Sequence, residues 1–142
     1  MEVEGIGKTD PASIIQGLYA AMNAHDVDVA LAFFAGDAVR TELPPPPGSM
    51  GLFTGLEENR GQLSRSMAAN IHGELSNLLA EGDKVTWTAK VSVDRWRQLS
   101  LGPLDFDGVA VVQGGKIKSW TNTMRAESRA RLQAALKSSQ PT

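Results

Sequence analysis

The chain contains no cysteine among its 142 residues. Disulfide bonds, thiolate metal sites and a cysteine nucleophile are therefore excluded. Because nothing in the sequence depends on an oxidising compartment, we expect a cytoplasmic location.

Long apolar runs and basic clusters are also missing. No apolar run approaches the roughly 20 residues that a membrane-spanning helix needs, and the acidic segment 1–5 lacks the basic and apolar blocks of a secretory signal. The formal net charge is −2, and lysine and arginine are dispersed. Because a nucleic-acid or lipid surface attracts concentrated positive charge, we expect neither nucleic acid nor a membrane as a partner.

Periodic apolar residues are absent from both ends of the chain. Residues 1–9 and 138–142 are predicted to be flexible tails. The length between them suits one domain, which we place at residues 10–137, and such a domain buries enough surface to fold without covalent links.

Two helical patterns begin this domain. Asp10 and Pro11 are typical of a helix start, and Asp26 is typical of a second one, which we expect Gly36 to end. The apolar residues at helical spacing are Ile14, Ile15, Leu18, Tyr19 and Met22 in the first pattern and Val27, Ala30, Leu31 and Phe34 in the second.

The rest of the chain is dominated by strand patterns. A strand at 38–43 must end at the four prolines 44–47, and a polar helix is predicted at 55–69. From residue 71 the period is two, which predicts strands at 71–79, 84–99, 104–113 and 116–124 in consecutive antiparallel hairpins, then a helix at 126–136. This order favours an α+β fold.

Three motifs carry a resemblance to a known family: residues 19–26 (YAAMNAHD), 32–39 (AFFAGDAV) and 114–120 (GGKIKSW). With the element order they resemble the nuclear transport factor 2-like superfamily, and its SnoaL-like branch in particular, over residues 11–136. The resemblance implies a cone-shaped, strongly curved, mainly antiparallel sheet that wraps around the N-terminal helices and encloses a hydrophobic pocket. It also implies a homodimer that forms through the outer face of the sheet. The relatives include isomerases, polyketide cyclases, epoxide hydrolases and proteins without catalysis, so the fold alone does not select an activity.

Three carboxylates are candidates for acid–base catalysis: Glu42, Asp94 and Asp107. The resemblance implies that Glu42 falls where ketosteroid isomerase relatives place a proton-abstracting acid, and Asp107 near their protonated, anion-stabilising aspartate. The alternative for Glu42 is an exposed carboxylate at a strand end, and for Asp107 a solvent-facing residue in a strand.

Asp94 belongs to the polar run Asp94-Arg95-Trp96-Arg97, which the pattern places in a strand. Alternation then puts Asp94 and Trp96 on one face, which we expect to be the inner face, although a surface ion pair is the alternative. Epoxide hydrolase relatives use an Arg-x-Asp pair with a last-strand aspartate. The matching positions here are Lys90-Val91-Ser92 and Asn122, which argues against that mechanism unless a shifted register gives Asp94 the role.

A set of aromatic and neighbouring residues is predicted to bind a flat or hydrophobic ligand. Tyr19 lies one position past the helix site that the isomerase relatives fill with tyrosine, which is Leu18 here. Ordinary core packing is the alternative for the whole set. The predicted ligand-binding residues are Tyr19, Phe33, Phe34, Trp87, Trp96, Trp120, Asn122 and Met124.

No metal or organic cofactor is expected, because His25 and His72 are far apart and lack a carboxylate at ligand spacing. Two functions remain open. The first is a cofactor-free acid–base enzyme of isomerase, cyclase or hydrolase type that acts on a hydrophobic metabolite. The second is a non-catalytic ligand-binding protein or dimer scaffold of the same fold.

Overall fold

The computed structural model describes residues 10–139 as an α+β fold. Its helices are α1 (Pro11–Asn23), α2 (Val27–Leu31), α3 (Gly55–Ala68), α4 (Asp94–Gln98) and α5 (Ala126–Ser138). Its strands are β1 (Phe34–Leu43), β2 (Leu52–Thr54), β3 (His72–Glu81), β4 (Lys84–Ser92), β5 (Leu104–Gln113) and β6 (Lys116–Met124). The predicted tail residues 1–9 and 140–142 lie outside the described residues, and Ser138 is the last residue of α5.

The six strands form one mixed sheet in the order β2-β1-β6-β5-β4-β3. Strands β3 to β6 are successive antiparallel neighbours, as predicted, whereas β1 runs parallel to β6. Register shifts interrupt β1, β3 and the β5–β6 pair. Such irregularities bend and twist strands, so the sheet curves but does not close.

The two helix starts follow the predicted capping chemistry. The Asp10 side chain accepts a hydrogen bond from the Ser13 backbone N–H at 2.8 Å, with Pro11 at the first helical position. The Asp26 side chain accepts from the Val29 N–H at 3.1 Å. The second helix is shorter than its apolar stripe indicated, because it ends at Leu31 and Phe34 already belongs to β1.

The core lies between the inner face of the sheet and two helices. Helix α1 packs on β3, β4 and β5, and α3 packs on β1 and β2. Asn59 of α3 is fully buried and its amide donates to the Gly55 and Ala38 carbonyls at 2.8 and 3.2 Å, which ties α3 to β1. In the described part of the chain, no helix is long and apolar enough to cross a membrane.

One strand prediction is wrong in its second half. Strand β4 ends at Ser92, and Asp94–Gln98 forms the short helix α4 instead of continuing the strand to residue 99. Three hydrogen bonds favour this turn: the Asp94 N–H donates to the Ala69 carbonyl, and the Asp94 carboxylate accepts from Asn70 and Arg97. Strand β2, only three residues long, was not predicted.

Candidate functional site

A polar group lies inside the core on the inner face of β1 and β6. Arg40 is 3% exposed, Glu42 7% and Asn122 6%. The pairing of the two parallel strands sets Arg40 beside Trp120 and Glu42 beside Asn122. We call Arg40, Glu42, Trp120 and Asn122 the inner polar cluster.

The Glu42 carboxylate is the centre of this cluster. Its Oε2 accepts from Arg40 Nε at 2.8 Å and pairs with Nη2 at 2.7 Å, while its Oε1 accepts from Asn122 Nδ2 at 3.2 Å. The Arg40 guanidinium lies over the Trp120 indole, with Cζ 4.1 Å from the ring centroid. A buried charge needs a paired counter-charge and hydrogen bonds, and Arg40 and Glu42 supply them to each other.

An aromatic group adjoins the cluster between α1 and the sheet. The Tyr19 ring centroid is 6.1 Å from that of Trp87 and 6.2 Å from that of Trp120, and Phe34 lies 6.4 Å from Trp120. These spacings are typical of tilted and edge-to-face aromatic packing. The rings therefore pack against one another between α1 and the sheet, where the ligand pocket was predicted.

Two glycines let the aromatic rings approach the sheet and one another. A Cβ at Gly108 would overlap the Trp87 indole, and a Cβ at Gly73 would lie 3.0 Å from the Tyr19 ring. The Trp87 Nε1–H donates to the Tyr19 hydroxyl at 3.1 Å, which fixes the orientation of both rings. Burial raises the pKa of Tyr19 to about 12, because the phenolate would lie in the protein interior.

The predicted ligand-binding residues fall into two groups. Tyr19, Phe34, Trp87, Trp120, Asn122 and Met124 are buried on the inner side, where the last three strand positions share one face as predicted. Phe33 is partly buried and packs against Gly17, where a Cβ would lie 2.6 Å from the Phe33 ring. Trp96 lies on α4, not on a strand, and stacks on Phe106 at 6.2 Å between ring centroids.

The structure does not bring the three predicted catalytic carboxylates together. Glu42 is inside, whereas the Asp94 side chain is 45% exposed on α4 and the Asp107 side chain is 55% exposed on the outer face of β5. The expectation that Asp94 and Trp96 face inward from a strand is therefore wrong. The hydrogen bond from Arg97 lowers the pKa of Asp94, and Asp107 pairs with Arg125 at 2.9 Å.

Arg40 is the member of the site that sequence reasoning missed. A usable signal was present, because period two from the buried Ala38 places Arg40 and Glu42 on the same face of β1. This pattern buries two charged side chains and leaves Val39 and Thr41 on the outer face of β1. Charged residues are rarely buried, so the pattern did not point to Arg40 as an inner residue.

Two open grooves lie elsewhere on the molecule. One of about 600 Å³ follows the outer face of β4 and β5 past Thr86, Thr88 and Asp107. The other, of about 470 Å³, lies between β2 and α3 beside Met50 and Phe53. Glu42 lines neither groove, and an enclosed apolar pocket stays a prediction. The described residues include no group of three or more His, Asp or Glu side chains arranged to hold a metal ion.

Comparison with known proteins gives consistent results for the fold. The family model described as the SnoaL-like domain matches residues 15–120. Among curated proteins, none matches this chain significantly.

Solved structures similar to this chain share its fold at low sequence identity. A putative polyketide cyclase from Sinorhizobium meliloti is 22% identical, with a TM-score of 0.63 over 78% of this chain and 93% of that one. A hypothetical protein with a ketosteroid isomerase-like fold from Catenulispora acidiphila, in complex with trimethylamine, is 21% identical (TM-score 0.66; 84% and 90% covered). An LEH-like epoxide hydrolase from M. tuberculosis is 15% identical (TM-score 0.65; 89% and 94% covered).

Proposed function

Because the chain belongs to the SnoaL-like family, we propose that it binds a hydrophobic small molecule at the inner polar cluster and uses Glu42 as its acid–base residue. The observation that carries this proposal is the burial of the Arg40–Glu42 pair and Asn122 beside an aromatic group. The reaction is of isomerase, cyclase or hydrolase type and needs no organic cofactor.

The hydrogen bonds of Glu42 support a role in proton transfer. A carboxylate offers about four acceptor positions, two on each oxygen. Arg40 donates from Nε to Oε2 and forms a 2.7 Å ion-pair contact with the same oxygen through Nη2, and Asn122 donates to Oε1. The remaining position on Oε1 is where Glu42 would accept a proton from a substrate or an activated water.

Donors near this carboxylate support stabilisation of a developing negative charge. The Arg40 guanidinium is adjacent, and the Tyr19 hydroxyl accepts from Trp87 but donates to no acceptor in the part of the chain that the structure describes. Donors held in a buried site stabilise an oxyanion more than they would in water. Tyr19 stays protonated at neutral pH because its pKa is about 12, so it keeps its hydrogen for this purpose.

The other two predicted carboxylates are less suited to the role. Asp94 and Asp107 are half-exposed and paired with Arg97 and Arg125, respectively. Water screens such groups and competes for any proton they carry, so we assign acid–base chemistry to Glu42 alone.

A non-catalytic ligand-binding protein is the second candidate. Two hydrogen bonds and an ion-pair contact already engage Glu42, and an ion pair of this kind is also a way to neutralise a charge in a core. The aromatic rings that fill the space beside it are equally consistent with binding without turnover.

We also propose that two copies pair through the outer face of the sheet. Val39, Thr41, Val109, Val111 and Thr121 are only half-buried on that face, with no layer of the described chain over them. These five side chains form an uncharged, β-branched patch, which is suited to association. Sedimentation velocity of the intact protein would test this, with a concentration-independent monomer as the contrary result.

The test of catalysis compares two isosteric substitutions. Glu42→Gln removes the buried carboxylate charge, and Asp107→Asn makes the same chemical change on the outer face. Turnover is followed on a panel of ketones and epoxides, with circular dichroism to verify folding. We expect turnover by the parent and by Asp107→Asn and at least a hundredfold loss in Glu42→Gln, the lower end of a general base's contribution. Equal turnover by both variants would reject Glu42, and ligand binding without turnover by the parent would favour the second candidate.

A further inference from the structure

Three buried polar atoms of the inner polar cluster have no hydrogen-bond partner among the described residues. They are Arg40 Nη1, Trp120 Nε1 and Asn122 Oδ1. Arg40 is 3% exposed, Trp120 1% and Asn122 6%, so bulk water does not take the place of a partner. Unpaired buried donors and acceptors are unfavourable, and native proteins rarely keep several together.

The three atoms belong to one connected group. Arg40 and Asn122 bind the same Glu42 carboxylate from either side, and the Arg40 guanidinium lies over the Trp120 ring. The strand register places Arg40 beside Trp120 and Glu42 beside Asn122. All three residues lie on the inner face of the paired strands β1 and β6, so a single ligand group would approach them from the core side of the sheet.

The unpaired atoms are two donors and one acceptor. A hydroxyl group has the complementary set, since its oxygen accepts two hydrogen bonds and donates one. We propose that the polar end of the ligand is a neutral hydroxyl, which accepts from Arg40 Nη1 and Trp120 Nε1 and donates to Asn122 Oδ1. This inference rests on the proposed function, because it specifies the ligand of that same site.

Other oxygen groups fit less well. A ketone accepts from both donors but leaves Asn122 Oδ1 unpaired, and a carboxylate sets a negative oxygen against that amide oxygen. Arg40 and Glu42 already neutralise each other, so a charged ligand would also bring an uncompensated charge into the core. The site therefore favours a hydroxyl over a ketone by the number of hydrogen bonds formed, and over a carboxylate by charge.

The test uses four compounds with the same ring: cyclohexylmethanol, cyclohexyl methyl ketone, cyclohexanecarboxylate and ethylcyclohexane. Each is titrated into the ¹⁵N-labelled protein, and the indole N–H signals of the three tryptophans are followed by NMR. We expect the alcohol to bind about tenfold more tightly than the ketone, the carboxylate to bind more weakly still, and the Trp120 signal to shift most with the alcohol.

Two matched variants locate the preference. Trp120→Phe keeps an aromatic ring under Arg40 but removes the unpaired N–H, so we expect the preference for the alcohol over the ketone to fall severalfold. Trp96→Phe removes the indole N–H of α4, which lies outside the inner polar cluster, and we expect that preference to remain. The loss of one indole signal in each variant also assigns the spectrum, and ethylcyclohexane affinity reports any general damage to the site.

The outcomes separate this inference from the function on which it rests. If ethylcyclohexane and the alcohol bind equally, or if Trp120→Phe keeps the full preference, the hydroxyl assignment is wrong although a hydrophobic ligand site exists. A water molecule on the three atoms that no probe displaces would also overturn it. If none of the four compounds binds, both the site and its hydroxyl preference are rejected.

Discussion

Two arginine–carboxylate pairs on opposite faces of the same sheet show how much burial changes one interaction. Arg40–Glu42 on the inner face and Arg125–Asp107 on the outer face have similar N–O distances, 2.7 and 2.9 Å. The inner side chains are 3% and 9% exposed, against 49% and 55% for the outer ones. The N–O distance therefore does not distinguish a buried ion pair from a surface ion pair, whereas the exposure of the side chains does.

The largest expected effect comes from breaking the inner pair. Arg40→Met leaves the Glu42 carboxylate buried without its counter-charge, and we expect the free energy of unfolding to fall by about 3–5 kcal/mol. Urea unfolding of the parent and of Arg40→Met at neutral pH measures this loss of unfolding free energy. A change no larger than that of the matched outer variant, Arg125→Met, would mean that the two pairs are equivalent.

The pH dependence of Tyr19 tests the inner side independently. Tyr19 is the only tyrosine, and its pKa is about 12, compared with about 10 in the unfolded chain. The folded state therefore keeps the proton longer, and stability is full below pH 10 and falls between about pH 10 and 12, by up to about 3 kcal/mol. The absorbance of the phenolate gives the pKa of Tyr19 directly. Urea unfolding over the same pH range measures the loss of stability. The variant Tyr19→Phe lacks the contribution of Tyr19, so its pH dependence gives the part of the loss that is due to lysine titration. A phenolate that forms near pH 10 in the folded protein would contradict the burial.

The aromatic packing predicts an intermediate effect. Gly108→Ala places a methyl group against the Trp87 indole, and overpacking of this kind costs about 1–3 kcal/mol. Gly102→Ala is the control, because nothing lies within 4 Å of the added carbon there. Thermal unfolding compares the two, and equal melting temperatures would show that Trp87 has room to move away.

The smallest effect is expected on the outer face. Asp107→Asn removes a half-exposed carboxylate from Arg125, and water and salt already screen that pair. We expect no change in unfolding free energy beyond experimental error at 0.5 M salt. A large, salt-insensitive loss of stability would indicate that the proposed contact between copies extends over Asp107 and Arg125, which we place outside it.

Sequence patterns predicted most of the framework, because its signals are local. The capping aspartates Asp10 and Asp26 marked the helix starts, and the alternation at residues 104–113 and 116–124 gave β5 and β6 with their observed bounds. The end of β4 was not predictable in this way. Asp94 turns the chain into a helix by bonding to Ala69 and Asn70, which are distant in sequence.

The candidate site was only partly predictable for the same reason. Glu42 and Asn122 were identified, but Arg40 was not, since the usual rule places charged residues of a half-buried strand outside. The rule fails here because β6 and α1 bring Trp120, Asn122 and Tyr19 around that face. These partners are recognisable only in the folded chain.

A crystal structure of the protein with bound cyclohexylmethanol tests the central claim most directly. The account predicts that the alcohol oxygen lies within hydrogen-bond distance of Arg40 and Asn122, on the inner face of β1 and β6. Electron density for the alcohol only in the open grooves beside Thr86 or Met50, with the inner polar cluster unchanged, would contradict it.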